Sequence, residues 1–198
     1  MTTTTTAPAA LSAPSPSGVI RALGAGSALL VGAHAAIAIM YVPRWPGSLD
    51  LVSWSALAVP LAMLALTAAM WLTRAASRAL LGLQFATAAL VTVVYTLTAV
   101  TRDALISGDL ELGFTMAALI AQYLVALGVL ARGTWRGPQR VLPIAAASWA
   151  VVVLPLVLLL GDTEAAWTPF IVYLYAGLIA NGLSLAIRPS GGAVEVTA

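Results

Sequence analysis

Residues 51–101 read LVSWSALAVPLAMLALTAAMWLTRAASRALLGLQFATAALVTVVYTLTAVT: two uncharged apolar runs, 51–72 and 79–101, parted by a short connection carrying Arg74 and Arg78. Each run is close to the roughly 20 residues a helix needs to cross a hydrocarbon layer about 30 Å thick at about 1.5 Å per residue. Two such runs in succession predict a pair of transmembrane helices joined by a basic turn.

The same unit recurs on either side. Further apolar runs at 19–42, 112–131, 141–160 and 169–187 extend the prediction to an all-α polytopic bundle of six transmembrane helices occupying 19–188. Residues 1–18 are a Thr, Ala, Pro and Ser tract that cannot bury enough surface to offset ordering entropy, and are expected to form a disordered cytoplasmic tail. A second cytoplasmic tail is expected over 189–198. Composition agrees: of 198 residues, 61% are hydrophobic and 8% charged, against roughly 25% charged in soluble domains. The mean hydropathy is +1.00.

Charge supplies orientation. Arg21, Arg74, Arg78, Arg132, Arg136, Arg140 and Arg188 all fall on one side of the alternating spans. Asp50, Asp103, Asp109, Glu111, Asp162 and Glu164 fall on the other, accompanied only by Arg44 and Arg102. The positive-inside rule then places both termini in the cytoplasm. Usage of Arg without Lys, with abundant Ala, Gly, Pro and Val, suggests a GC-rich genome, so the expected location is a bacterial plasma membrane. A rival reading takes Arg21, the apolar run 22–32 and Ala33-His34-Ala35 as a signal peptide with its cleavage site. Apolar residues continuing to Val42 speak against it. Trp45, Trp54, Trp71, Trp135 and Trp167 lie at or near span ends, as interfacial tryptophans do, whereas Trp149 lies inside span five. Thr168-Pro169 reads as a cap and first-turn proline opening span six.

Composition also excludes chemistry. Without cysteine there is no disulfide, thiolate metal site or thiol nucleophile, and without lysine no Schiff base. A net charge of +2 divided among the helix connections is not the clustered basic face that nucleic acid requires. No Asp, Glu or Arg lies in the middle of a span, which argues against a proton relay or a paired-carboxylate active site. No cofactor and no metal are expected.

The polar residues that remain are the candidate ligand-binding set. His34 is the only histidine, roughly 12 Å from the outer end of span one. It reads as a ligand-binding residue, a pH-sensitive gate or a lone axial haem ligand, or more plainly as an interhelical hydrogen-bonding group. Gln122 lies near the middle of span four, Tyr95 with Thr96 and Thr98 in the outer half of span three, and Tyr173 and Tyr175 in the outer half of span six. His34, Gln122, Tyr95 and Tyr173 share a depth above the midplane, and Gln84 and Asn181 lie in the cytoplasmic half. Span one carries Gly24, Ala28, Gly32 and Ala36, a small-xxx-small row that packs helices within the bundle or docks another chain.

An internal match joins spans two and five: Ser53-Trp54 with Pro60, Leu61 and Leu64, and Ser148-Trp149 with Pro155, Leu156 and Leu159. Three spans apart, the copies would be inverted, the arrangement of a possible 3+3 repeat with interrupted helices facing a site between the halves. Pro60 and Pro155 would leave the carbonyls of Ala56 and Val151 without helical donors. The six-span plan and the row from Gly24 to Ala36 resemble the substrate-binding subunits of energy-coupling-factor importers, in which such a row docks a membrane partner. Rhomboid proteases and aquaporins share the span count, but the G-x-S-x and N-P-A motifs are missing. The expected function is non-catalytic binding or transport of a small neutral or apolar molecule. The alternatives are an accessory subunit of a membrane complex and, with least support, a lipid- or isoprenoid-modifying enzyme. Expected partners are membrane lipid, a small ligand, and a second membrane subunit or copy.

Overall fold

The computed structural model describes residues 16–41, 54–101, 108–148, 155, 159 and 164–189. Six helices account for nearly all of them: α1 (Pro16–Tyr41), α2 (Ala58–Leu72), α3 (Arg78–Thr101), α4 (Gly108–Arg132), α5 (Pro138–Ala147) and α6 (Glu164–Ile187). Among the described residues there is no strand. Among the described residues, four segments are long and apolar enough to cross a membrane: Ser17–Ala38, Trp54–Leu72, Arg78–Thr101 and Gly113–Arg132. Val172–Ile187, within α6, is a shorter apolar stretch. The outward faces are apolar too, with Leu29 73%, Val100 61% and Ile120 57% exposed, a surface suited to lipid rather than water.

The helix ends differ from expectation where local chemistry intervenes. α1 begins at Pro16, inside the stretch expected to be a disordered tail, with a proline in the first turn where its missing N–H costs nothing. α6 begins at Glu164, so Pro169 lies within the helix instead of opening it. α2 is preceded by a helical turn at 54–56 and a break at Leu57. Of the expected fifth span, α5 covers the first part, and Pro155 and Leu159 are helical. Trp149 and Val151 lie outside the described residues, as do Trp45, Asp50, Asp103 and Asp162.

Two short turns hold the basic end. After α2, Thr73 is the C-cap and Arg74 adopts a left-handed conformation at φ 52°. The N–H groups of Arg74 and Ala75 donate to the carbonyls of Trp71 and Met70, completing a Schellman turn in which an arginine holds the place glycine usually takes. Before α5, Gly137 has φ 60° and Pro138 follows at the first helical position. Trp135, expected at the lipid interface, is instead buried between these turns, and its indole N–H donates to Thr73 Oγ1 at 3.0 Å.

The helices pack in a closed ring, each against its sequence neighbours and α6 against α1. Small residues set the closest approaches. A Cβ on Gly24 would lie 2.6 Å from the Gly182 carbonyl oxygen, and one on Gly177 would lie 2.5 Å from Ala146 Cβ. The row on α1 therefore divides: Gly24 and Ala28 are buried against Gly182 of α6, Gly32 has nothing within 4 Å of where its Cβ would be, and Ala36 is exposed. Positions four apart on a 3.6-residue helix drift by about 40° per step, so the row winds off the contact face.

Thr67, Thr87, Thr92, Thr96 and Thr101 each donate to the carbonyl four residues earlier. This satisfies hydroxyls that apolar surroundings would otherwise leave costly. The contacts Gly24–Gly182, Gln139–Ser184, Arg132–Ala76 and Trp135–Thr73 gather the start of α1, the end of α6 and both short turns at one end. All seven arginines expected to share a side are at that end.

Candidate functional site

The polar centre is built around His34, buried on the inner face of α1. Its Nδ1 lies 2.8 Å from Ser55 Oγ, in the turn before α2, and its Nε2 lies 2.7 Å from the Tyr175 hydroxyl on α6. The two rings meet edge to face, with centroids 5.3 Å apart at 73°. A neutral imidazole donates from one nitrogen and accepts at the other, and a hydroxyl does either. Both tautomers are therefore satisfied, and both ring nitrogens are engaged: binding a metal or haem iron would mean giving up one of these bonds.

Below this relay lies a cavity of about 170 Å³, lined by five of the six helices or the turns before them. His34, Tyr175, Tyr95 and Thr115 supply the polar groups, and Met63, Val91, Leu119 and Leu174 much of the apolar wall. The Tyr95 hydroxyl and Thr115 Oγ1 are 3.1 Å apart across α3 and α4. Pro60 is fully buried and also lines the cavity, together with Ala56, whose carbonyl receives no N–H from Pro60 four residues on. The lining has no formally charged side chain, so it offers donors and acceptors to a neutral molecule and no compensation to an ion.

Of the residues singled out in the sequence, the fold thus brings His34, Tyr95 and Pro60 together. It does not bring Gln122, Tyr173 or Pro155 to them. Gln122 is buried away from the lining, and its Oε1 has no hydrogen-bond partner; Ser27 Oγ, Gln84 Oε1 and Asn181 Oδ1 share that condition. Tyr173 points the other way, its hydroxyl 3.1 Å from Ser148 Oγ at the end of α5. Pro155 is exposed.

The helical wheel explains which tyrosine faces the cavity. Tyr175 lies seven residues before Gly182 and so shares the face packed on α1, while Tyr173 lies four before Gly177 and shares the face packed on α5. The two glycines carry this signal in the sequence. Ser55 and Thr115 were missed: Ser55 adjoins the matched Ser53-Trp54 pair, and Thr115 lies in an apolar run among residues that mark no face.

No family model, curated protein or solved structure matches the chain.

Proposed function

We propose that this is a six-span membrane protein, with both termini in the cytoplasm of a bacterial cell, that binds or transports a small neutral, largely apolar molecule in its central cavity. The observation that carries the reading is the uncharged cavity at the centre of an apolar helix ring, with the Ser55–His34–Tyr175 relay at its edge. An engineered cavity of about 150 Å³ accepts benzene or xenon, so one of about 170 Å³ suits a ligand on the order of six to ten heavy atoms. The six spans rest on the apolar runs, and the orientation on the seven arginines at one end.

The test is mass spectrometry of small molecules that copurify in native-like lipid. A defined compound should accompany the wild type, fall away in Ala118→Phe, which fills the cavity from α4, and weaken in His34→Ala. Bulk lipid alone, identical in all three, refutes the reading.

The 2.8 Å contact between Ser55 Oγ and His34 Nδ1 favours a second reading, a nucleophile with its base. It ranks lower because the group orienting the imidazole is a neutral tyrosine, which stabilises imidazolium far less than a carboxylate does. Labelling of the wild type, and not of Ser55→Ala, by a fluorophosphonate would move it to first place.

A further inference from the structure

A second cavity, of about 270 Å³, opens at the basic end between the α2–α3 turn and the end of α4. Arg74, Arg78 and Arg132 line it, three guanidinium groups from three different segments. The segments that line it supply no carboxylate: there is no Asp or Glu anywhere in 51–101 or in 113–161. Arg132 Nη1 donates to the Ala76 carbonyl at 3.3 Å, which fixes one guanidinium at the wall, and among the described residues most of its five N–H groups meet no acceptor. Arg74 occupies its place at the expense of a left-handed backbone that glycine would adopt without strain.

Trp71 and Leu72 line this cavity and also line an adjoining groove of about 480 Å³ between α1, α2 and α3, walled by Leu23, Ala68 and Phe85 and wholly apolar. A concentrated positive pocket thus continues into an apolar channel on the outer surface of the bundle. A molecule matching both has an anionic phosphate head and a hydrocarbon chain joined to it.

We propose that the arginine cavity and the groove form one binding site for an anionic phospholipid, with its phosphate against Arg74, Arg78 and Arg132 and an acyl chain along Leu23, Ala68 and Phe85. Guanidinium groups pair with phosphate through two parallel N–H···O bonds, and Trp71 marks the depth where headgroup meets chain. The inference rests on the chain being embedded in a membrane and not on a ligand in the central cavity, so loss of either leaves the other standing.

The experiment is native mass spectrometry of the full chain in neutral detergent, titrated with phosphatidylglycerol or with phosphatidylcholine of the same acyl chains. Phosphatidylglycerol should bind more tightly, and Arg74→Asn with Arg78→Gln should weaken it by roughly five-fold per arginine, about 25-fold for the pair. Asparagine tolerates the left-handed backbone, and both arginines are exposed, so this variant should fold. Ala68→Trp, which obstructs the groove alone, should lower phosphatidylglycerol occupancy with every arginine in place. The control is Arg136→Gln with Arg188→Gln, which removes equal charge at the same end from a separate cavity. Equal binding of the two lipids overturns the proposal. So does equal loss in the control, and so does displacement of phosphatidylglycerol by inorganic phosphate, which would make the site one for a free anion.

Discussion

Gly24→Ala and Gly32→Ala are the same substitution in the same helix, eight residues apart, and should shift stability in opposite directions. Either gains up to about 1 kcal/mol of helix propensity. At Gly32 nothing lies within 4 Å of the new methyl, so the gain stands and the variant should be unchanged or more stable by about 0.5–1 kcal/mol. At Gly24 the methyl would lie 2.6 Å from the Gly182 carbonyl oxygen, 2.8 Å from Leu185 Cβ and 2.9 Å from the Ala186 nitrogen. None of these atoms ends a flexible side chain, so relief must come from moving a helix. Ordinary contact begins near 3.4 Å, so α1 and α6 must part by about 0.8 Å, since 3.4 less 2.6 is 0.8. A gap of that size forfeits a quarter to a half of each pairwise attraction along the contact. Overpacking of this kind costs about 1–3 kcal/mol, which outweighs the propensity gain. The assay is reversible unfolding of purified protein in mixed micelles of increasing denaturing-detergent fraction. Because α1 and α6 also carry His34 and Tyr175, Gly24→Ala should weaken retention of a cavity ligand as well. Equal stability of the two variants would refute the claim that the ring closes at Gly24 and Gly182.

Three further outcomes follow from the geometry. Tyr175→Phe leaves a buried His34 nitrogen without its partner and should cost about 1–3 kcal/mol and abolish cavity binding, whereas Tyr173→Phe should cost about 1 kcal/mol and leave binding intact. Reversed effects on ligand retention would show that the wrong tyrosine has been placed at the site. Arg74→Gly should relieve about 1 kcal/mol of left-handed strain and raise the melting temperature in neutral detergent by about 2–4 °C, while lowering the stabilisation given by phosphatidylglycerol. A lower melting temperature in neutral detergent would mean that the Arg74 side chain supports the turn itself. The chain has no cysteine, so Ser77→Cys and Asp162→Cys each create a unique thiol. An impermeant maleimide should reach Asp162→Cys in intact cells and Ser77→Cys only in inverted vesicles, and the opposite pattern would reverse the orientation.

The helices were legible because composition alone decides them: uncharged apolar runs of membrane-crossing length have few other fates. Which faces meet was legible only in part, because the outer surface of such a helix is as apolar as the inner. The buried Leu81 and the exposed Leu83 are indistinguishable by hydropathy. Small residues carry the information instead, and only where the periodicity is respected. The row from Gly24 to Ala36 is regular in sequence, yet its first half packs and its second half does not. The polar candidates divide for a different reason. His34, Tyr95 and Pro60 converge, while Gln122 lies on the same face of α4 as Thr115, which meets Tyr95, but seven residues and about 10 Å further along the helix, so the depth read from the span bounds and not the face kept it from the cavity.

The order of helices around the ring bears on the match between spans two and five. A two-fold axis in the membrane plane acts, in projection, as a mirror: it reverses the sense in which three successive helices run around the bundle. If α1, α2 and α3 run clockwise, their inverted copies must run anticlockwise. In the closed ring α4, α5 and α6 continue in the same sense as α1 to α3. A two-fold axis along the membrane normal would keep that sense but requires α1 and α4 to point the same way. The contacts of Gly24 with Gly182, Gln139 with Ser184 and Arg132 with Ala76 place the start of α1 and the end of α4 at the same end of the bundle, so the two helices point oppositely. Neither axis maps one half onto the other. The prolines show the consequence: Pro60 is fully buried at the cavity, and Pro155 is exposed. A ligand site in this ring therefore has no reason to lie on an axis between halves. The cavity lies where five of the helices meet, with His34, Tyr175, Tyr95 and Thr115 as its polar groups.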